Sequence, residues 1–186
     1  WEVARQLQSA VPEKISLTIV PGADIFTMGD AFSTSASALR KTLLKDENFP
    51  ALLRQLLPVS ADSRIAFLLP ETYDVPEKTF DALLKASSEL WLARLGPSLQ
   101  DITSRDLLNR AVVASLVERE AFLEKERPLI AGVIENRMRT GMPLQIDATV
   151  VYAWKRQGRT IKRVLNKHLE IDSPLNTYKI QGLPPE

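Results

Sequence analysis

The 186-residue chain has no cysteine, one histidine, three tryptophans and three tyrosines. Without cysteine there is no thiolate nucleophile, no disulfide and no thiolate metal site, which suits a reducing cytosol and a bacterial envelope without disulfides equally well. The lone His168 leaves little room for a Ser-His-Asp relay or a multi-histidine zinc site. Carboxylates must therefore carry any acid and base chemistry. Excess charge is also missing: the formal net charge is +1 with 25% charged residues, so no global field argues for nucleic acid or an anionic membrane. No apolar run approaches the ~20 residues needed to span a bilayer. The chain starts at Trp1 rather than Met, which reads as a processed or excised segment whose parent can carry an anchor elsewhere.

What is present is a hydrophobic content of 45%, enough for one ordinary domain or two small ones. Ile15 to Val20 is β-branched and runs into Pro21-Gly22, the pattern of a strand ending in a turn. Leucines at helical spacing predict helices over Ser35 to Lys45 and Ala51 to Leu57. The polar stretch Pro58 to Ser63 predicts a domain boundary, with one subdomain over 1–60 and a second domain over 61–186. Beyond it, Ile65 to Leu69 predicts a short buried strand and Thr79 to Leu95 an amphipathic helix closed by Gly96-Pro97. Thr103, with Asp106 three residues on, predicts the start of a long helix running through Phe122. Another helix is predicted from Pro128 to Gly141. Ala148 to Trp154 is open between helix and strand, because Thr149, Val150 and Val151 favour the latter. From Leu169 onward the tail is expected to be extended and irregular. The expected class is α+β.

Within the long helix, Glu118 shares a face with Leu107, Ala111, Ala114 and Phe122, and apolar residues occupy other faces, which predicts a largely buried helix carrying a buried acid. Burial disfavours the charged carboxylate, so such a group can hold a proton near neutral pH and deliver it to a leaving oxygen. Its small neighbours Ala111, Ala114 and Ser115 leave space for a ligand. A structural alternative stays open, in which Glu118 pairs with Arg137 or Arg110. Glu120 points about 160° away around the axis and is not its twin across one sugar. Asp147 is the better second acid, although its turn-like setting favours a helix cap. The acid-free basic stretch Lys155 to Lys167 reads as a solvated face, not a nucleic-acid site. Trp154, Tyr152 and Tyr178 could stack on sugars, with core packing the simpler expectation.

The runs ASLVERE (114–120), ERPLIAGVIENRMRTGMPLQIDATVVYAW (126–154) and DSPLNTYKIQGLPPE (172–186) resemble the endolytic murein transglycosylases of the YceG-like family. FLLPETY (67–73) is similar to the opening of that family's catalytic domain, and residues 14 to 58 look like its LysM-like subdomain. The resemblance implies a LysM-like strand and helix subdomain before a helix-rich catalytic domain with a lysozyme-like active-site helix, ending here where relatives continue. It implies a membrane-anchored enzyme on the extracytoplasmic face of the bacterial inner membrane. Such an enzyme cleaves between N-acetylmuramic acid and N-acetylglucosamine within peptidoglycan strands and leaves 1,6-anhydro ends. Glu118 matches the catalytic glutamate, and Gln145, Asn176 and Tyr178 match cleft motifs. Tyr152 and Asp147 join them as candidate substrate contacts. Glycan strands are the implied partner, with cell-wall synthases beside them, and no metal or organic cofactor is implied. Ile65-Ala66 and Leu175 depart from the family's common Glu-Gly and aromatic. Two alternatives stay open: a muramidase that uses water, and a catalytically silent peptidoglycan-binding or scaffold protein.

Overall fold

The computed structural model describes residues 14–185, so Trp1 and the opening of the expected first subdomain lie outside the described residues. The chain forms two compact units, one reaching to Gln55 and completed by Phe67–Gln100, the other made of Leu56–Ala66 and the residues from Asp101 onward. The mixture of helices with a small sheet is the α+β class expected from the sequence.

Strand pairing brings the second stretch into the first unit. β1 (Ile15–Thr18) lies antiparallel to β2 (Thr72–Val75), on the far side of the 60/61 boundary expected from composition, in the register Ile15 to Val75 and Thr18 to Thr72. Along β2, Tyr73 and Val75 are buried while Thr72 and Asp74 face water, the period-2 pattern of a half-buried strand. The Ser16 hydroxyl donates to Asp74 at 2.7 Å across the ladder. Helix α1 (Ile25–Ala31) starts at Asp24, whose carboxylate accepts from the amides of Phe26 and Thr27, and α2 (Ala36–Leu43) starts at Ser35. Helix α3 (Phe80–Leu95) starts at Thr79, and Leu83, Leu84 and Trp91 on its inner face are buried.

Two expectations fail here. Residues 51–56 form a 3-10 helix instead of an α-helix, since Pro50 and Pro58 bracket a segment too short to propagate one. The strand expected at Ile65 to Leu69 is not formed: Asp62–Phe67 is also a 3-10 helix, and the Arg64 guanidinium folds back to the Pro58 carbonyl at 2.8 Å. The strand begins after Pro70.

The second unit is built on three helices. Helix α4 (Ser104–Glu120) begins at the predicted Thr103, whose hydroxyl accepts from the Asp106 amide at 3.1 Å. Helix α5 (Arg127–Arg139) has Pro128 in its first turn, and Gly141 just beyond it takes a φ of 69° that a glycine adopts without strain. Helix α6 (Asp147–Arg156) settles the open choice at 148–154 in favour of helix, with Val150 and Ala153 buried on one side. One apolar cluster joins Val112, Leu116 and Val117 of α4 to Ile134, Leu144 and Ile146, and a second joins Val150 and Ala153 to Ile171 and Leu175. Among the described residues no helix is long and apolar enough to cross a membrane.

Two glycines give opposite expectations. A Cβ on Gly29 would lie 2.8 Å from the Thr34 carbonyl oxygen, whereas one on Gly132, in exposed α5, would meet nothing. Gly29→Ala is expected to destabilise by about 1–3 kcal/mol. Gly132→Ala should stabilise by up to about 1 kcal/mol. Chemical denaturation of both variants checks the signs.

Candidate active site

Helix α4 does not bury the face expected of it. Leu107, Val112, Leu116 and Val117 are its buried residues, and Ala114, Ser115 and Glu118 are exposed, so the expectation of a buried Glu118 is corrected. Alanine and serine tolerate water as well as core, and the bulky valines and leucine decide which side turns inward. Glu118 also has neither of its suggested arginine partners among the described residues, and the Arg137 guanidinium donates instead to the Leu144 carbonyl.

Glu120 is exposed as well, but it sits beside a groove. It stands four residues after Leu116 and three after Val117, so it continues the buried row at the helix's last turn. It lines a groove of about 520 Å³ together with Ile130, Ile134 and Arg137 of α5 and Leu144, Gln145 and Ile146. Its side chain keeps contact with water, yet burial raises the carboxyl above its ordinary value, and the charge of Asp147 pushes it further. A hydrogen bond from the Ala148 amide, one of the unpaired donors at the start of α6, pulls in the other direction.

Gln145 reaches this groove from an unusual backbone. Its φ is 51°, in the left-handed region that non-glycine residues seldom adopt, and Leu144 and Ile146 on either side are buried. The position is held from the tail: the Gln145 amide donates to the Thr177 carbonyl at 3.0 Å and the Ile146 amide to the Thr177 hydroxyl at 2.9 Å. The Thr149 hydroxyl lies 2.9 Å from that of Thr177 and donates to the Ile146 carbonyl at 2.7 Å.

The remaining candidates divide. Asp147 is the first residue of α6, not its cap; Ile146 holds the cap position, and the Asp147 carboxylate accepts from the Tyr178 hydroxyl at 2.6 Å. That hydrogen bond, then burial and the neighbouring charges of Asp147 and Glu120, push the Tyr178 hydroxyl up to about 12. Asn176 is fully buried; its amide donates to the carbonyls of Leu169 and Ile171 at 2.8 and 2.9 Å, and its oxygen accepts from the Tyr178 amide at 3.1 Å. It has no surface to offer a ligand and acts by shaping the tail. Tyr152 packs against the Val150 cluster and donates to Asp62 at 3.0 Å. Glu120, Asp147, Tyr178, Gln145 and Arg137 thus form one neighbourhood. Sequence reasoning passed over Glu120 and Arg137, and the i, i+4 step from Leu116 was the signal that finds the former. Among the described residues no three histidine, aspartate or glutamate side chains group to hold a metal ion.

Asn176→Ala would strand two carbonyls and one amide in the interior. It is expected to destabilise this unit by about 1–3 kcal/mol for each group left unmet, less what water recovers. Thermal unfolding followed by circular dichroism reads the loss, and an unchanged midpoint would refute the assignment.

The sequence pattern of the YceG-like family matches residues 1–186. The endolytic murein transglycosylase of Bacillus subtilis strain 168 is 32% identical over 190 residues, covering 91% of this chain and 51% of the relative. That of Streptococcus pneumoniae serotype 2 strain D39 is 34% identical over 145 residues, 74% of this chain and 26% of the relative. The crystal structure of a YceG-like protein from Listeria monocytogenes has the same fold, with a TM-score of 0.72 at 24% identity over 99% of this chain and 66% of that one. This chain therefore spans about half the length of the B. subtilis relative and about a quarter of the pneumococcal one. With the family pattern matched along its whole length, the chain belongs to the YceG-like family.

Proposed function

We propose that the chain is the catalytic part of an endolytic lytic transglycosylase of peptidoglycan, with Glu120 as its acid and base. The observation that carries this reading is the Glu120 carboxyl, which lines a groove beside Gln145 and Arg137 with its proton held more tightly than an ordinary glutamate holds it. Such a group can deliver a proton near neutral pH, which a glycosidic leaving oxygen requires. The names of the B. subtilis and pneumococcal relatives supply the substrate class.

Glu120 gives its proton to the glycosidic oxygen as the bond to the anomeric carbon of N-acetylmuramic acid breaks. Its carboxylate then takes the proton of the same sugar's 6-hydroxyl, whose oxygen closes on the anomeric carbon. The products are a free N-acetylglucosamine end and a 1,6-anhydro ring, no water is consumed, and Glu120 is protonated again. Strand cutting of this kind trims or terminates nascent glycans beside the cell-wall synthases, on the outer face of the cytoplasmic membrane. The strand, helix, helix, strand order of the first unit supports the LysM-like reading, and an acid on the last turn of α4 supports the lysozyme-like one.

A second reading has a specific observation in its favour. Asp147 lies close enough to Glu120 for its charge to act on it, and two carboxylates across a glycosidic bond are the apparatus of a hydrolase. Mass spectrometry of digested glycan strands separates the two. Anhydro ends, lighter by one water than hydrolytic ends, are the expected result, and reducing ends support the muramidase. Glu120→Gln is expected to lower kcat by about 10²–10⁴-fold. Glu118→Gln should leave it near the parent value. The reverse order of the two variants would return the catalytic role to Glu118, and activity retained by both would favour a silent binding or scaffold protein.

A further inference from the structure

We propose that Asp147, clamped by the Tyr178 hydroxyl, is the positioning residue that sets the pH at which Glu120 gives up its proton. The inference rests on the reading of Glu120 as the acid and base.

The geometry comes first. Asp147 opens α6, and its carboxylate is fixed by the 2.6 Å hydrogen bond from Tyr178, thirty-one residues further along the chain. Glu120 accepts from the amide of Ala148, the next residue of the same helix turn. Two carboxylates from different elements therefore stand over one helix N-terminus. That end can favour one negative charge, and the second carboxylate meets the field of the first. Asp147 has a fixed hydroxyl donor in Tyr178. Glu120 has desolvation against it and holds its proton longer, as the direction of its shift agrees.

The other groups around Glu120 do not supply this effect. Glu126, at the start of α5, turns its carboxylate to the amides of Phe122 and Leu123 at 3.0 and 2.8 Å. Arg137, from the same helix, would favour the charged form of Glu120, and its guanidinium is engaged by the Leu144 carbonyl. Tyr178, from the tail, carries no charge in the pH range of interest because its hydroxyl is held up to about 12. Asp147 is thus the one neighbour in this set whose negative charge opposes the ionisation of Glu120.

The experiment uses the full chain. Carboxyl-carbon NMR of glutamate-labelled protein follows Glu120, with Glu120→Gln identifying its signal. In Asp147→Asn the Glu120 midpoint is expected to move to lower pH, and the alkaline limb of the kcat profile on isolated glycan strands should move with it. The activity loss is then larger above neutrality than below, while a residue that only shapes the groove would lower kcat equally at every pH. Asp147→Glu should restore the limb by restoring the charge. If the Asn variant does not fold, Asp147→Ser removes the same charge with a residue suited to a helix start. Should Glu120→Gln abolish activity while neither the midpoint nor the limb moves in the charge-removing variant, the positioning role is overturned and the catalytic reading stands. If Glu120→Gln stays active, the catalytic reading itself fails, and the NMR midpoint alone decides whether Asp147 acts on Glu120.

Discussion

Thr177 is the point at which the tail and the segment before α6 become one structure. Its carbonyl takes the Gln145 amide, its hydroxyl takes the Ile146 amide, and the same hydroxyl meets that of Thr149, with both threonines buried. Buried polar groups without partners cost about 1–3 kcal/mol each, so none of these contacts can slip alone. The functional neighbourhood follows by adjacency. Asp147 is the residue after Ile146 and Tyr178 the residue after Thr177, so tying 146 to 177 delivers the carboxylate to the phenol. Asn176, on the other side of Thr177, fixes the tail to the carbonyls of Leu169 and Ile171. Asn176, matched in the sequence to a cleft motif, is buried within the frame that holds Tyr178 and Asp147 together.

The long helices were legible because their signals are local. Thr103, Pro128 and Gly141 mark helix ends through a hydrogen-bond acceptor, a fixed φ and a tolerated positive φ, all of which act within one turn. The strand was misplaced because Ile65 to Leu69 is a continuous apolar run, while Thr72 to Val75 carries only two residues, Tyr73 and Val75, toward the core. Only pairing with Ile15–Thr18, more than fifty residues away, decides between them. At the site, the wheel of α4 predicted a buried Glu118, and the structure leaves that side chain exposed. Counting Ala111, Ala114 and Ser115 as apolar drew a stripe through Glu118, while the bulk of Val112, Leu116 and Val117 turns the helix the other way and leaves Glu120, itself exposed, next in line with the buried row. The Asp147 to Tyr178 contact spans thirty-one residues and no local pattern announces it.

Electrostatics explain how one short helix start can serve an acid. A lone carboxylate over the N-terminus of α6 would be drawn toward its charged form by the unpaired amides. Such a group would be a poor proton donor. A second carboxylate, held by a phenol, satisfies the helix end and leaves the first to compete against an existing charge. The division of labour needs neither a metal nor a histidine, which fits a chain whose only histidine spends its ring nitrogen on the Leu165 amide.

Gln145 gives the frame its functional meaning. A non-glycine residue at a φ of 51° costs on the order of 1–3 kcal/mol, and it persists only where the surroundings over-determine it. Here they do, since Leu144 and Ile146 are buried on both sides and the Gln145 and Ile146 amides are both bonded to Thr177. A glycine would remove the strain but also the side chain that lines the groove beside Glu120. Keeping glutamine there sets a local strain against a polar side chain at the groove. The hydrogen bonds to Thr177 offset that local cost. The strain, the buried threonine contacts and the acid on the last turn of α4 are therefore parts of one arrangement, in which packing of the apolar cluster holds polar groups at the edge of the groove.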